Sequence, residues 1–261
     1  MRAGTVPILE VRDLSRQFGG YHAVADMALA IDKRSIHAVI GPNGAGKTTL
    51  FNLVTGVLPP TAGQILVNGE DVAGARPDRI ARLGVVRTFQ GVRLFPSMTA
   101  LENVLVGRFC RTRGGYFAAL TRIPGRPSAV EAAARRRSEE LLERVGLADQ
   151  RHMLASELAL ADQRRLEIAR ALAVDPQLLL LDEPVAGMNP VEVQEAADLF
   201  RSLRDDGITI LLTEHHMSLV MAISDRITVM NYGRKIAEGS AEEIKRDPQV
   251  LTAYLGSEEA A

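Results

Sequence analysis

Gly41, Gly46, Lys47 and Thr48 stand in the order G-x-x-x-x-G-K-[ST], within the stretch GPNGAGKTT. That spacing suits one chemistry, the binding of a nucleoside triphosphate. Glycines let the backbone turn so tightly that successive N–H groups converge on a phosphate. The expected cradle is Gly41, Pro42, Asn43, Gly44, Ala45, Gly46, Lys47, Thr48 and Thr49. Lys47 would reach the β- and γ-phosphates, and the Thr48 hydroxyl would ligate Mg²⁺. The plain alternative is an ordinary glycine-rich turn before a helix. The context argues against it, because an apolar run (36–40) precedes the loop and Leu50, Phe51, Leu53 and Val54 follow it. Strand, loop and helix in that order set an anion at a helix N-terminus.

A second group of residues has the chemistry to use that phosphate. The run LLLLDEP (178–184) puts Asp182 and Glu183 at the carboxyl end of a buried strand, where ligands bind in open α/β sheets. Asp182 would hold Mg²⁺ through its water shell. Glu183 would act as general base on the water attacking the γ-phosphate; otherwise it is a capping or surface acid before Pro184. His215 follows the apolar strand ILLTE and could bond the γ-phosphate and orient the water. Its neighbour His216 would point the opposite way on a strand, which disfavours a paired metal site. Gln90 ends the strand VVRTF, within reach of Mg²⁺ or the attacking water. Phe18 could stack on a base, a contact of about 1 kcal/mol, with Tyr21 as competitor and a core role as the alternative for either.

These residues need a frame. Residues 8–14, 22–33 and 63–69 read as short, mainly antiparallel strands, with a turn at Phe18-Gly19-Gly20. Residues 77–83 read as a short helix and 85–89 as a strand. From 101 to 147 the pattern is mostly helical, with breaks near 114–115 and 124–127 and a helix over 130–145 that Gly146 stops. A helix over 163–174 leads into the continuous apolar strand 178–181, the pattern of a strand covered on both faces. Helices over 192–204 and 217–223 alternate with strands at 208–213, 227–230 and 235–238. The expected fold is a phosphate-loop α/β core with an antiparallel β flank (1–89 and 164–261) and an inserted helical subdomain (90–163).

Composition narrows the class. The chain has 261 residues, 46% of them hydrophobic, and a formal net charge of -1, so nothing global favours nucleic acid. The single cysteine, Cys110, rules out an internal disulfide and fits a reducing compartment. Apolar runs fall short of the ~18 residues that span a bilayer, and the start MRAGTVPILEV lacks a signal-peptide core. Between 108 and 137 stand eight arginines (108, 111, 113, 122, 126, 135, 136, 137) against one acid, Glu131. Such a run reads as a solvated face; the alternative is contact with anionic headgroups or an acidic partner.

Taken in order, Phe18, the phosphate loop, Gln90, LALADQRRLEIARAL, LLLLDEP, AGMNP and EHH resemble the ATP-binding subunits of ABC transporters, from about residue 8 to about residue 256. EPVAGMNP, EHHMSLVMAISDRI and DPQVLTAYLG are similar to the longer ATPase subunit of branched-chain amino-acid importers. Urea importers and the lipopolysaccharide-export ATPase are nearby alternatives. The resemblance implies ATP and Mg²⁺ as cofactors, membrane permease subunits and a second ATPase subunit as partners, an indirect link to a solute-binding protein, and a peripheral place on the cytoplasmic face of the membrane. In the family, a signature segment of one subunit caps the ATP held by the other. Here it reads Leu158-Ala159-Leu160-Ala161-Asp162-Gln163 in place of Leu-Ser-Gly-Gly-Gln. Ala159 lacks the hydroxyl, and Ala161 adds a Cβ expected to resist positive φ, so weaker closure is expected. Rival classes are an ABC-type ATPase acting on DNA or ribosomes, which would carry a coiled-coil insertion or tandem domains, and a small-molecule phosphotransferase, which would lack the signature-like segment.

Overall fold

A computed structural model describes residues 6–88, 91, 93–109 and 129–255. Gln90, Cys110 and the arginines at 111, 113, 122 and 126 lie outside the described residues. The chain forms two compact units. One runs to Arg87 and resumes at Gln177; the other is Thr88–Pro176.

The first unit holds two sheets. The strands β1 (Leu9–Phe18), β2 (Tyr21–Ile31), β4 (Ala62–Val67) and β5 (Glu70–Asp71) form an antiparallel sheet in the order β2-β1-β4-β5. Gly19 and Gly20 make the β1–β2 turn, so Phe18 and Tyr21 face each other across the hairpin end. The second sheet contains β3 (Ile36–Ile40), β6 (Val85–Arg87), β7 (Leu178–Asp182), β8 (Thr209–Thr213), β9 (Arg226–Asn231) and β10 (Arg234–Gly239), in the order β10-β9-β3-β8-β7-β6. All its pairings are parallel except β9–β10. Every residue of β3, β7 and β8 is buried, which explains why these strands are continuous apolar runs rather than alternating ones.

Helix α1 (Lys47–Val54) sends Leu50, Phe51, Leu53 and Val54 into the main core. There they meet Leu9, Leu14, Val24, Met27 and Ile31 of the antiparallel sheet and Val39, Leu178, Leu180 and Leu211 of the parallel one. The helix that opens at the phosphate loop is thus clamped by apolar side chains from both sheets. Helices α2 (Pro77–Arg82), α6 (Pro190–Asp205), α7 (Met217–Ile223), α8 (Ala241–Arg246) and α9 (Pro248–Leu255) complete this unit. Asn189 caps α6 and Ser240 caps α8, each in a reciprocal bond with the Glu three residues on.

The second unit packs α3 (Ala100–Phe109), α4 (Ala129–Arg144) and α5 (Leu160–Leu172) against one another. Gly107 brings α3 so close to α5 that a Cβ there would lie 2.4 Å from the Arg170 carbonyl. The expected boundary at residue 163 falls inside α5, and the whole helix packs in the second unit. Of the arginine run, Arg108 pairs with Asp175, Arg135 with Glu139 and Arg137 with Glu140. Those guanidiniums are engaged within their own unit. Among the described residues, no helix is long and apolar enough to cross a membrane.

Candidate nucleotide and hydrolysis site

Parallel pairing brings the chemistry to one level. Thr213 of β8 is in register with Val39 of β3 on one side and with Asp182 of β7 on the other. The chain therefore leaves β3 as Gly41, β7 as Glu183 and β8 as Glu214 and His215 at the same edge of the sheet. Adjacent strands are about 4.8 Å apart, so all three exits lie within about two strand spacings.

The loop after β3 is shaped by close backbone approach. A Cβ on Gly41 would lie 2.1 Å from the Met230 carbonyl oxygen, and one on Gly46 would lie 2.3 Å from that of Ala23. Both glycines also have positive φ, 151° and 99°, so any other residue would clash and strain at once. The loop is laced to its surroundings: the Gly233 N–H donates to Ala45 O (3.0 Å), and the Ala25 N–H to Gly233 O (2.9 Å). Burial pushes the phenol of Tyr254, on α9, up to about 12, and its contact with the Gly41 backbone works against that shift. Pro42, Asn43, Gly44 and Ala45 line a cavity of about 720 Å³ together with Tyr232 and residues of α9.

Helix α1 starts at Gly46 without a side-chain cap. Its first-turn N–H groups, those of Lys47, Thr48 and Thr49, are in place for an anion. The Lys47 ammonium donates to the carbonyls of Gly41 (2.6 Å) and Pro42 (3.1 Å), folded over the loop it serves. Burial lowers its pKa, and the carboxylates of Glu183 and Asp182 oppose that shift. Thr48 is exposed, leaving its hydroxyl open to solvent.

Asp182 is 2% exposed and doubly held. Its Oδ1 accepts from the Thr213 hydroxyl (2.8 Å), and its Oδ2 from the guanidinium of Arg87 (2.6 Å). Arg87 also donates to Asn52 Oδ1 (2.6 Å) and lies 5.4 Å from the Phe51 ring centre. Each carboxylate oxygen keeps a second lone pair, so the group can still accept from water around an ion. A threonine hydroxyl and one carboxylate are hard oxygen donors of the kind Mg²⁺ takes, an ion that keeps several waters and binds phosphate. Among the described residues, no group of three or more His, Cys, Asp or Glu gathers as a metal cage.

Glu183 has φ 49°, in the left-handed region, a conformation that costs roughly 1–2 kcal/mol for a residue with a Cβ. Its N–H is tied to Thr213 O (3.0 Å), which holds the chain on one side of the strained residue. The carboxylate of Glu183 lies 3.2 Å from His215 Nε2. His216 faces solvent, and its Nδ1 meets the Ser218 hydroxyl at 3.0 Å. The structure thus brings together the phosphate loop, Asp182, Glu183 and His215.

Phe18 and Tyr21 are both partly exposed, and the Arg16 guanidinium covers the Phe18 ring at 4.6 Å. Ala159 is the exposed N-cap of α5 without a side-chain bond. Ala161 is buried within the first turn of that helix and is not among the residues with positive φ. The expected conflict at Ala161 therefore does not arise: its Cβ packs inward from an ordinary helical backbone. Sequence reasoning missed Arg87, Thr213, Glu214 and Tyr254. Glu214 stood inside a motif already quoted but carries no spacing rule of its own.

Comparison with known proteins agrees with this geometry. The ABC transporter family matches residues 24–186, and the family described as branched-chain amino acid ATP-binding cassette transporter matches residues 234–260. The high-affinity branched-chain amino acid transport ATP-binding protein LivG of Salmonella typhimurium is 48% identical over 96% of this chain and 98% of its own. BraF of Pseudomonas aeruginosa, described in the same words, is 45% identical over the same shares. Among solved structures, an ATP-binding cassette of an ABC transporter in its ADP conformation superposes with a TM-score of 0.83 at 31% identity, covering 97% of this chain and all of that one. The chain belongs to the ABC transporter family, as an ATP-binding, ATP-hydrolysing cassette of the branch that includes the branched-chain amino acid transport proteins.

Proposed function

We propose that this chain is the ATPase subunit of an importer for branched-chain or related amino acids, and that Glu183 and His215 carry its hydrolytic step. The observation behind the catalytic assignment is the 3.2 Å approach of Glu183 to His215 at the sheet edge shared with the phosphate loop. Identity to LivG and BraF over nearly the whole chain supports the cargo.

In this reading the N–H groups of residues 41–49 and the Lys47 ammonium bind the β- and γ-phosphates. Thr48, Asp182 and Gln90 would hold Mg²⁺, and the bound ion would supply positive charge beside the phosphate oxygens. Glu183 takes a proton from water as its oxygen attacks the γ-phosphorus and the bond to ADP breaks. His215 holds Glu183 and the γ-phosphate in register. Phe18 stacks on adenine, and Ala159 with Ala161 presents the α5 N-terminus to ATP held by a second ATPase subunit. Closure of the two subunits drives the permease, hydrolysis reopens them, and a solute-binding protein delivers the cargo outside. The chain then sits peripherally at the cytoplasmic face of the membrane.

Glu183→Gln tests the core of this reading. ATP affinity should hold while turnover falls about 10²-fold or more, the usual worth of a general base. Near-normal turnover would remove Glu183 from the role. Co-purification with a membrane permease tests the transport assignment, and its failure would favour another class of ABC ATPase.

A further inference from the structure

Glu214 is 4% exposed, and its carboxylate reaches three backbone donors on two segments. Oε1 accepts from the Val185 N–H at 3.0 Å. Oε2 accepts from the N–H groups of His215 (3.0 Å) and His216 (3.3 Å). Val185 lies two residues beyond Glu183, and His215 is the partner of Glu183. One buried side chain therefore ties the loop that carries the base to the loop that carries the histidine.

We infer that Glu214 is a positioning residue for hydrolysis, holding Glu183 and His215 in mutual register. This rests on the roles given above to those two residues. Glu183 is left-handed, at φ 49°. Such a residue relaxes to an ordinary conformation unless the chain is held on both sides of it. On the near side its own N–H is bound to Thr213 O. On the far side the Val185 N–H is bound to Glu214. Freed from Glu214, residues 183–186 can shed the strained turn and swing the Glu183 carboxylate off the attacking water. The second oxygen of Glu214 sets the backbone from which the His215 ring springs, so both halves of the pair depend on one carboxylate. The bonds are to N–H donors, which an ionised carboxylate accepts on both oxygens and an amide accepts on only one.

Glu214→Gln keeps the shape and turns an NH₂ toward one set of N–H groups. Misplacing a reacting group by about 1 Å costs on the order of a hundredfold. The kcat of ATP hydrolysis should therefore fall roughly ten- to hundredfold, while KM and the calorimetric affinity for ATP stay within about twofold, because the phosphate loop is untouched. In the Glu183→Gln background the same change should cost nothing more, since its effect passes through Glu183. Unchanged kcat would overturn the inference. So would parallel loss of kcat and ATP affinity, or an undiminished further loss in the Glu183→Gln background. Should Glu214→Gln not fold, Glu214→Asp, which keeps the charge but shortens the reach, gives the same readings. Normal turnover in Glu183→Gln would defeat the assignment of the base itself, whereas an inactive Glu183→Gln beside a fully active Glu214→Gln would defeat only the role of Glu214.

Discussion

Arg87→Met should destabilise the nucleotide-free protein far more than an ordinary surface ion pair would. The Arg87 and Asp182 side chains are only 6% and 2% exposed, with 2.6 Å between nitrogen and oxygen. Removing the guanidinium leaves the Asp182 carboxylate buried with Thr213 as its remaining described bond partner on Oδ1, and strands the Asn52 amide oxygen that Arg87 also served. Breaking one side of a buried pair costs roughly 3–5 kcal/mol. At about 2–4 °C per kcal/mol for a chain of this size, the melting temperature should drop on the order of 10 °C. Asp182→Asn in the same background removes the orphaned charge, so the double variant should be less damaged than the two single losses added together. The assay is thermal unfolding by far-UV circular dichroism without nucleotide, on the wild type, both single variants and the double. The reasoning is refuted if Arg87→Met costs under about 1 kcal/mol, or if the two changes add within about 0.5 kcal/mol, as independent sites do. Arg87→Lys should fall between, since an ammonium keeps the charge but cannot reach Asp182 and Asn52 together as the fork does.

Three further outcomes follow from the structure. His37 is buried on β3 at 2.8 Å from the Thr228 hydroxyl, and burial lowers its pKa to about 4; the unfolded chain, near 6.5, takes up its proton first, so this stability is whole above about pH 6.5 and drains as pH falls to 4, by roughly 3 kcal/mol in all. Urea unfolding across that range should show a shallower pH slope in His37→Leu, and equal slopes would refute the assignment. Ala159→Ser should supply the missing cap of α5, worth about 1 kcal/mol to the helix, and raise the ATP-dependent dimer fraction in analytical ultracentrifugation. Because Ala161 is helical and buried, adding Ala161→Gly should lessen that gain by about 0.5–1 kcal/mol, and no change with Ala159→Ser would show the alanine to be harmless. Phe18→Ala should weaken ATP binding about fivefold, from a stacking worth of ~1 kcal/mol; if Tyr21→Ala does so instead, the base sits on the other side of the hairpin end.

How much of this was legible depended on whether a role is local in sequence. The phosphate loop is a contiguous constraint, and the run 178–181 announces a strand covered on both faces, so both could be read directly. Two helix starts were read late, whereas those at Pro77 and Met217 were read in place: α6 begins at Pro190 behind the Asn189 cap, and α5 begins at Leu160 behind an alanine that gives no capping signal. The helices after residue 240 went unread although Ser240 and Glu243 make a capping box, because each is too short to show a period. Arg87 and Glu214 were invisible for a different reason. Their partners lie 95 and 29 residues away, and only the strand order brings them together. Gly41 and Gly46 were expected to be glycine for the phosphate's sake; the structure adds that the Met230 and Ala23 carbonyls leave no room for anything else.

The strand that launches the phosphate loop has a bearing on how the protein is made. β3 pairs with β8 and β9, and its loop is laced to Gly233 and Tyr254. All of these partners are translated long after residue 49 leaves the ribosome. At about 5–20 residues per second, the loop waits on the order of ten seconds or more before its walls exist. A nascent chain with its motif fully exposed is thus no trap for ATP, and nucleotide capture reports that the last strands have docked. The same long-range pairing makes folding of this unit slow in principle, and makes nucleotide a ligand that selects finished molecules over partial ones.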